Sequence, residues 1–198
     1  MLVVMVVSTT CSQTTPTTTT LLEPALTVTK DTSSNSYTLQ ELKAMPSIEG
    51  TSYLMNSVGE IMGPFNVKGV PLEELYNSIG GLNTTEAVRI TAKDGYAMTL
   101  SYKRIMENSF TTFDIDTGKE VSHDKLTVVL AYEQDGKPID KETTGPLRLM
   151  ILGAENQATE GHWWVKWVEK IEIVNLDEPW TLHLKGAIAE DMDSDTFK

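Results

Sequence analysis

Apolar side chains recur at every second position in several short stretches of this chain, as they do in strands with one buried face. Val88, Ile90 and Ala92 alternate with polar residues up to the pair Asp94 and Gly95, which favours a tight hairpin turn. The same kinds of signal predict further strands near 26–29, 47–63, 97–100, 126–132 and 180–184.

Two short helices are predicted from local signals. Thr38 is followed three residues later by Glu41, which is the spacing of a capping box, and the helix should end before Pro46. A second helix should begin at Pro71 and end at Gly80, with one apolar face formed by Leu72, Leu75, Tyr76 and Ile79. Many strands, few helices and no regular alternation of the two predict an α+β fold that is mostly β, with mixed or antiparallel sheets.

The stretch 145–173 carries three of the four tryptophans and is predicted to form a strand, a polar loop and a second strand, as in a hairpin. If the second strand alternates throughout, Trp163 and Trp167 share its core-facing side. Trp164 then lies on the opposite side, beside Lys166. This pattern makes Trp164 the tryptophan best placed to contact a ligand.

The composition is that of one globular domain of about 150 residues, with a core large enough to be stable by itself. The 198 residues are 40% hydrophobic and carry a formal net charge of −12. Such a charge repels phosphate backbones and anionic lipids, so nucleic acid and the membrane surface are excluded as direct partners. No run of 18 apolar residues occurs, and the sequence therefore predicts no transmembrane helix.

The chain divides into four segments. Residues 1–11 resemble the end of a lipoprotein signal, in which Cys11 would carry the lipid, although a strand or a disordered tail is the alternative. A threonine-rich linker follows at 12–24, then the domain itself at 25–175. Residues 176–198 contain a strand and an acidic tail, or the start of a second unit. We therefore expect an extracytoplasmic protein held at the cell surface by a lipid anchor.

No metal site is predicted from residue spacing. Cys11 is the single cysteine, and His123, His162 and His183 share no spacing typical of metal ligands. The acidic run at 114–118 lacks the full set of carboxylates that a calcium loop requires. His162 has the strongest functional prospects of the three histidines because it precedes the tryptophan-rich strand.

Six segments occur in an order that is typical of one family. They are N-S-V-G-E at 56–60, K-G-V-P-L-E-E-L at 68–75, K-D-G-Y at 93–96, L-A-Y-E-Q-D-G-K-P at 130–138, G-P-L-R-L at 145–149 and V-K-W-V-E-K-I-E-I at 165–173. Together they resemble the oxidoreductase molybdopterin-binding domain family, which includes the sulfite oxidases. The resemblance covers about residues 37–174 and implies the fold of that family.

The resemblance also locates the place where the family's enzymes bind molybdenum. Their metal ligand is a cysteine thiolate, and in this chain its position falls on Ser57. A serine hydroxyl is a harder and far less acidic ligand than a thiolate, so metal binding should be weakened or lost. The chain is then a divergent member of the family that lacks the molybdenum-ligand cysteine.

Other cofactor contacts are partly retained by the same comparison. Arg148 matches the family's arginine, and Lys166 matches a lysine that helps to hold the pterin phosphate. Trp164 replaces the serine of the family's serine-X-lysine motif, and threonines at 143–144 replace a histidine and a glycine. The residues expected at the cofactor-binding position are therefore Ser57, Arg148, Lys166 and Trp164. The family implies molybdopterin as the cofactor, but the changed residues lead us to expect that none is bound.

Three functions follow from these observations. The first is a surface-anchored binding or structural module that has lost its molybdenum centre and takes a pterin or another small molecule. The second is an active molybdopterin-dependent oxidoreductase in which Ser57 or solvent completes the metal site. The third is an extracellular ligand-binding or adhesion domain. Whether the chain is an enzyme is therefore left open by its sequence.

Overall fold

The computed structural model describes residues 23–123, 125–153 and 155–176, together with the strands 181–184 and 190–193. Cys11 and its predicted lipid anchor lie outside the described residues, as does most of the predicted linker 12–24. The division of the chain into four segments therefore stays a prediction.

Short strands make up most of the described chain, which confirms the predicted α+β, mostly β fold class. Its first half contains β1 Leu26–Lys30, β2 Ser33–Tyr37, α1 Leu39–Ala44, β3 Ile48–Met55, β4 Ile61–Pro71, α2 Leu72–Asn77, β5 Glu86–Ala92, β6 Ala97–Ser101 and α3 Tyr102–Met106. Its second half contains β7 Thr112–Asp114, β8 Glu120–Val121, β9 Thr127–Gln134, β10 Lys137–Pro138, β11 Arg148–Leu152, β12 Gln157–Glu160, a 3₁₀ turn Gly161–Trp163, β13 Val168–Asn175, β14 Thr181–Leu184 and β15 Glu190–Asp193.

Two larger sheets and one small one are formed. The first sheet has the order β2-β1-β13-β5-β6, in which the β1 and β13 pair is parallel and the others are antiparallel. The second has the order β10-β9-β4-β3-β12-β7-β8, with β11 also paired to β9, and its parallel pair is β3 with β12. The strands β14 and β15 pair only with each other among the described elements. Both larger sheets are therefore mixed, as predicted.

The central strand β9 is buried on both faces because its side chains alternate between two apolar clusters. Val128, Leu130 and Tyr132 pack into the larger cluster, which also contains side chains of β1, β5, β13, α1 and α2. Val129 and Ala131 pack into the smaller cluster on the other face of the strand. The period of two along the strand explains why every residue from Val128 to Tyr132 is apolar.

The two predicted helices are present and begin as their sequences indicate. The hydroxyl of Thr38 accepts a hydrogen bond from the backbone N–H of Glu41 at 3.2 Å, and the Glu41 carboxylate accepts one from the Thr38 N–H at 2.7 Å. Helix α2 begins after Pro71 and is followed by Gly80, whose φ of +103° glycine adopts without strain. None of the described helices is long and apolar enough to cross a membrane.

Several local predictions were wrong. Neither β2 nor α3 was predicted. The stretch 145–173 is not a hairpin, because β11 pairs with β9 whereas β12 pairs with β3 and β7. Its predicted tryptophan-rich strand is interrupted, since the chain forms a 3₁₀ turn at Gly161–Trp163 and becomes a strand again only at Val168.

Candidate functional site

Ser57 lies in the loop that joins β3 to β4. The side-chain oxygen of Asn56 organises this loop by accepting hydrogen bonds from the backbone N–H groups of Val58, at 3.1 Å, and Glu60, at 2.9 Å. Gly59 completes the turn with a φ of +83°. Ser57 is exposed and lines a cavity of about 190 Å³.

A second cavity, of about 240 Å³, adjoins the first. Both are lined by Gly161 and by the exposed His162, which therefore stands at their junction. Ser57 lines the first cavity, and Lys166 and Trp164 line the second. The structure thus brings three of the four predicted site residues around His162.

The ring of His162 is supported by Trp163. The two ring centroids lie 4.1 Å apart at 45°, and the guanidinium of Arg104 lies 4.4 Å from the Trp163 ring. The Trp163 indole N–H donates to the carboxylate of Glu160 at 3.2 Å, and Phe110 packs edge-on at 5.9 Å. These contacts hold Trp163 partly buried, and through it they orient His162 at the junction.

Trp164 was predicted to lie on the side of its strand that faces away from the core, and this was wrong. Only 4% of its surface is exposed, and it belongs to the smaller apolar cluster. Its indole N–H donates to the Thr159 hydroxyl at 3.0 Å, and Phe65 packs against it edge-on at 5.8 Å. The prediction assumed an unbroken strand, whereas the 3₁₀ turn rotates the chain and directs Trp164 into the core.

Trp167 has a backbone conformation that is rare for a tryptophan, with a φ of +49°. Three hydrogen bonds hold it there. Its backbone N–H donates to the carbonyl of Thr144 at 2.9 Å, its carbonyl accepts from the N–H of Lys93 at 2.9 Å, and its indole N–H donates to the carbonyl of Lys141 at 3.0 Å. Strained residues held by their surroundings are concentrated at binding sites, and Trp167 lines the larger of the two adjoining cavities.

Arg148 begins β11 and is only 9% exposed. Leu149 and Ile151 of this strand face the larger cluster, so alternation places Arg148 on the same side as Met150 and the smaller cluster. Its guanidinium lies 5.2 Å from the ring of Trp164, and its Nε has no hydrogen-bond partner in the described structure. Burial lowers the pKa of Arg148 because the charged form is deprived of water. Arg148 lines neither of the two cavities.

Lys166 is exposed at the rim of the larger adjoining cavity. Its Nζ lies 6.0 Å from the ring centroid of Trp167, and no described carboxylate lies within 4 Å of it. The nearby carboxylate of Asp94 accepts a hydrogen bond from the backbone N–H of Tyr96 at 3.0 Å. The cavity therefore presents one lysine ammonium group and one aspartate carboxylate among accessible aromatic rings.

Two residues of this site were not predicted. Tyr96, which is 48% exposed, lines the same cavity as Lys166. Gly161 lies so close to β3 that a Cβ there would be 3.0 Å from the carbonyl oxygen of Met55. The K-D-G-Y segment contained the signal for Tyr96, because a tyrosine directly after a hairpin turn is exposed at the end of a sheet. No local pattern marked Gly161, since its role depends on a neighbouring strand.

No three described side chains of histidine, cysteine, aspartate or glutamate lie close enough together to hold a metal ion. Asp114, in the acidic run at 114–118, instead accepts hydrogen bonds from the hydroxyl of Thr117 at 2.6 Å and from its backbone N–H at 2.8 Å. Both hydrogen bonds lower the pKa of Asp114, and the one from the hydroxyl has the larger effect. Its carboxylate thus stabilises the turn between β7 and β8.

The two adjoining cavities lie beside the ends of β3 and β12, in a domain built of two mixed sheets. The family model of the oxidoreductase molybdopterin-binding domain matches residues 15–182. The chain therefore belongs to this family, as the six segments predicted.

A solved structure supports the same fold. The crystal structure of the sulfane dehydrogenase SoxCD from Paracoccus pantotrophus matches with a TM-score of 0.53 and 17% sequence identity. The match covers 84% of this chain and 43% of the other, so this chain spans less than half the length of that protein. No curated protein sequence matches the chain.

The residues present fit the family's cofactor only in part. The chain's single cysteine is Cys11, and the position that the resemblance predicts for the metal ligand falls on the exposed Ser57, whose hydroxyl cannot supply a thiolate. Arg148 carries a buried charge, but the ring of Trp164 lies over it. Lys166 is accessible and can bind an anionic group. Of the predicted cofactor contacts, Lys166 is therefore the charged residue that an anionic group can reach from the cavity.

Proposed function

We propose that this domain is a binding module of the molybdopterin-binding family that holds no thiolate-bound molybdenum centre and takes a small planar anion in the cavity beside Lys166. The observation that supports the proposal is the serine at position 57, where the resemblance to the family predicts the cysteine of its enzymes. Without a soft thiolate, the protein contributes no strong ligand for the metal.

The lining of the cavity determines which ligands suit it. Tyr96, His162 and Trp167 present rings, which favour flat ligands through stacking and apolar contact. Lys166 supplies a positive charge that attracts an anionic group, whereas the carboxylate of Asp94 in the same lining repels one, so the anionic group should lie on the side of Lys166. The volume of about 240 Å³ is below the roughly 300–1,000 Å³ of pockets for drug-sized ligands, so the ligand should be compact.

Elemental analysis tests the first half of the proposal. The full chain is produced in a bacterial host that makes molybdopterin, and its molybdenum content is measured by mass spectrometry. We expect less than about 0.1 molybdenum per chain, because binding through a serine should be at least tenfold weaker than through a thiolate. About one molybdenum per chain in the wild-type protein would overturn the proposal.

A gain-of-binding variant tests the role given to Ser57. Ser57→Cys should raise the molybdenum or pterin content above that of the wild type. Ser33→Cys is the matched control, because Ser33 is an exposed serine on β2 that lines neither cavity. Equal contents in the two variants would mean that Ser57 does not occupy the ligand position.

The binding half is tested with pterin-6-carboxylic acid, a planar anion, by isothermal titration calorimetry. Lys166→Met should weaken binding about tenfold, whereas Lys137→Met should change it less than twofold, since Lys137 is an exposed lysine remote from the cavity lining. No binding to the wild-type protein, or equal effects of the two substitutions, would contradict a cavity that binds small planar anions.

The retained Arg148 and Lys166 favour a second candidate, an active molybdopterin-dependent oxidoreductase whose metal is completed by Ser57 or solvent. The elemental analysis separates this candidate from the first, because it requires molybdenum in the wild-type chain. The sulfane dehydrogenase activity in the name of the similar structure belongs to that protein.

We also propose that the protein is extracytoplasmic and is held at the membrane through a lipid on Cys11. The support is the short apolar run before Cys11 and the threonine-rich linker at 12–24. Mass spectrometry of the native protein should find Cys11 at the mature N-terminus with a diacylglyceryl modification. An unmodified Cys11 in a soluble fraction would refute the anchor.

A further inference from the structure

The charge of Arg148 is not balanced by any described carboxylate. Arg148 is 9% exposed, no described acid lies within 4 Å of it, and its buried Nε lacks a hydrogen-bond partner. A buried guanidinium normally pairs with a carboxylate or phosphate through its planar set of donors, because an unpaired buried charge is strongly unfavourable. The Nε–H donor of Arg148 is therefore unused beside a core position.

The ring of Trp164 is what covers this charge. It lies 5.2 Å from the guanidinium, a distance at which the ring face attracts a cation. The hydrogen bond to Thr159 at 3.0 Å and the edge-on contact with Phe65 fix the ring in this place. A neutral ring compensates a cation only partly, since it accepts none of the guanidinium's hydrogen bonds.

Trp164 also forms part of the wall of the cavity that Lys166 lines, whereas Arg148 does not reach that wall. A backbone hydrogen bond explains why the indole lies between the cavity and the arginine. The N–H of Leu149 donates to the carbonyl of Val165 at 2.8 Å, so the residues before these two, Arg148 and Trp164, are brought side by side. The indole consequently lies at the boundary between the cavity and the arginine.

We propose that Trp164 occupies the place of an oxyanion on Arg148 and thereby sets the depth and the ligand class of the cavity. With tryptophan at this position, a ligand reaches Lys166 but not Arg148. With a smaller residue, the cavity extends to Arg148 and becomes a site for a tetrahedral oxyanion, held by the guanidinium of Arg148 and the ammonium group of Lys166. The inference shares its cavity with the proposed function but does not depend on the absence of molybdenum.

The test uses Trp164→Ala in the full chain and inorganic phosphate as the probe, with chloride added to keep the ionic strength constant. Isothermal titration calorimetry and the phosphate dependence of the melting temperature are measured together. We expect phosphate to bind the variant at least tenfold more tightly than the wild type. Trp167→Ala is the matched control, because it removes a tryptophan from the same cavity wall without uncovering Arg148.

A second substitution assigns the gain to the arginine. Adding Arg148→Met to Trp164→Ala should abolish the gain, because the exposed Lys166 alone is a weak phosphate site. Since Trp164 is a core residue, Trp164→Leu is made as well, as it keeps apolar packing while removing the ring. The proposal is overturned if neither variant at position 164 gains phosphate affinity, or if the gain persists without Arg148.

These outcomes are independent of those for the proposed function. Molybdenum content and pterin binding are measured on the wild-type chain, whereas this inference concerns what a substitution at position 164 adds. Molybdenum in the wild type would refute the proposed function and leave the position of Trp164 over Arg148 to be tested separately.

Discussion

Gly69 allows β4 to approach β9 more closely than any residue with a side chain would. It lies at an irregularity of the β4 and β9 ladder and pairs with Ala131. A Cβ built on Gly69 would lie 2.7 Å from the Cα of Ala131 and 2.8 Å from the carbonyl carbon of Leu130. Both distances are shorter than the 3.0 Å below which real Cβ contacts essentially do not occur. We therefore predict that Gly69→Ala is strongly destabilising.

The magnitude follows from what must move. The contacted atoms are backbone atoms of β9, and Leu130 and Ala131 are fully buried, so no flexible side chain can make room. Overpacking a core typically costs about 1–3 kcal/mol, and displacing a central strand should bring the loss to roughly 3–4 kcal/mol. For a domain of this size, such a loss lowers the melting temperature by about 6–16 °C.

Gly50→Ala is the matched control in the same sheet. A Cβ at Gly50 would lie 3.7 Å from the Cδ1 atom of Leu152, which is an ordinary contact, and its φ is not positive. Replacing a glycine in a compatible conformation stabilises a protein by about 0.4–1 kcal/mol through the unfolded chain. Guanidinium unfolding followed by tryptophan fluorescence measures both variants. A loss below about 1 kcal/mol for Gly69→Ala, or equal losses for the two variants, would refute the reasoning.

Three further substitutions test charges and caps. The Glu86 carboxylate pairs with Lys30 at 2.8 Å; burial tends to raise its pKa, but hydrogen bonds from Lys30 and the backbone bring it below 4.5. Glu86→Gln should therefore cost about 1–2 kcal/mol at pH 7, because the ionised form carries the stability. The difference from the wild type should shrink as the pH falls through the lowered pKa, and a difference that does not shrink towards acid pH would contradict this. Thr38→Ala removes the helix cap and should lower the free energy of unfolding by about 1 kcal/mol, measured by chemical unfolding. Thr84→Ala, at an exposed threonine, is the control, and an equal effect of the two substitutions would show that the cap contributes nothing. Arg148→Met should raise the free energy of unfolding by about 1–3 kcal/mol, because the cost of burying the charge exceeds the gain from its contact with the Trp164 ring. A lower stability of the variant would show that the contact outweighs the cost of burial.

Features that depend on near neighbours could be predicted from the sequence. The capping box at Thr38 and Glu41 needs only residues three apart, and the structure contains both of its hydrogen bonds. The turn at Asp94 and Gly95 likewise depends on one glycine, which has a φ of +88°. Alternation predicted the buried face of β5 because that strand pairs regularly with β6 and β13.

The tryptophan-rich strand could not be predicted because distant contacts override its alternation. Trp167 is held at a positive φ by hydrogen bonds to Thr144 and from Lys93, both remote in sequence. This kink and the preceding 3₁₀ turn direct Trp164 into the core, contrary to the expected alternation, whereas Trp163 packs partly buried against both apolar clusters. The resemblance to the family located Ser57, Arg148 and Lys166 in sequence, but only the fold shows that the arginine lies behind an indole.

Ser57 lies in an exposed loop, whereas Arg148 lies in the core. Substitutions at the two positions should therefore affect the stability of the fold differently. The chain from Ser57 to Glu60 is exposed, so a substitution at position 57 disturbs little packing and should change stability by less than about 0.5 kcal/mol. Arg148 instead belongs to a strand in which every residue is buried. Its charge needs a compensating group whether or not a ligand is bound, and the fixed ring of Trp164 provides one from within the chain. A metal ligand can thus be lost from the loop at almost no cost to the fold, whereas an anion can be lost from Arg148 only if another group takes its place.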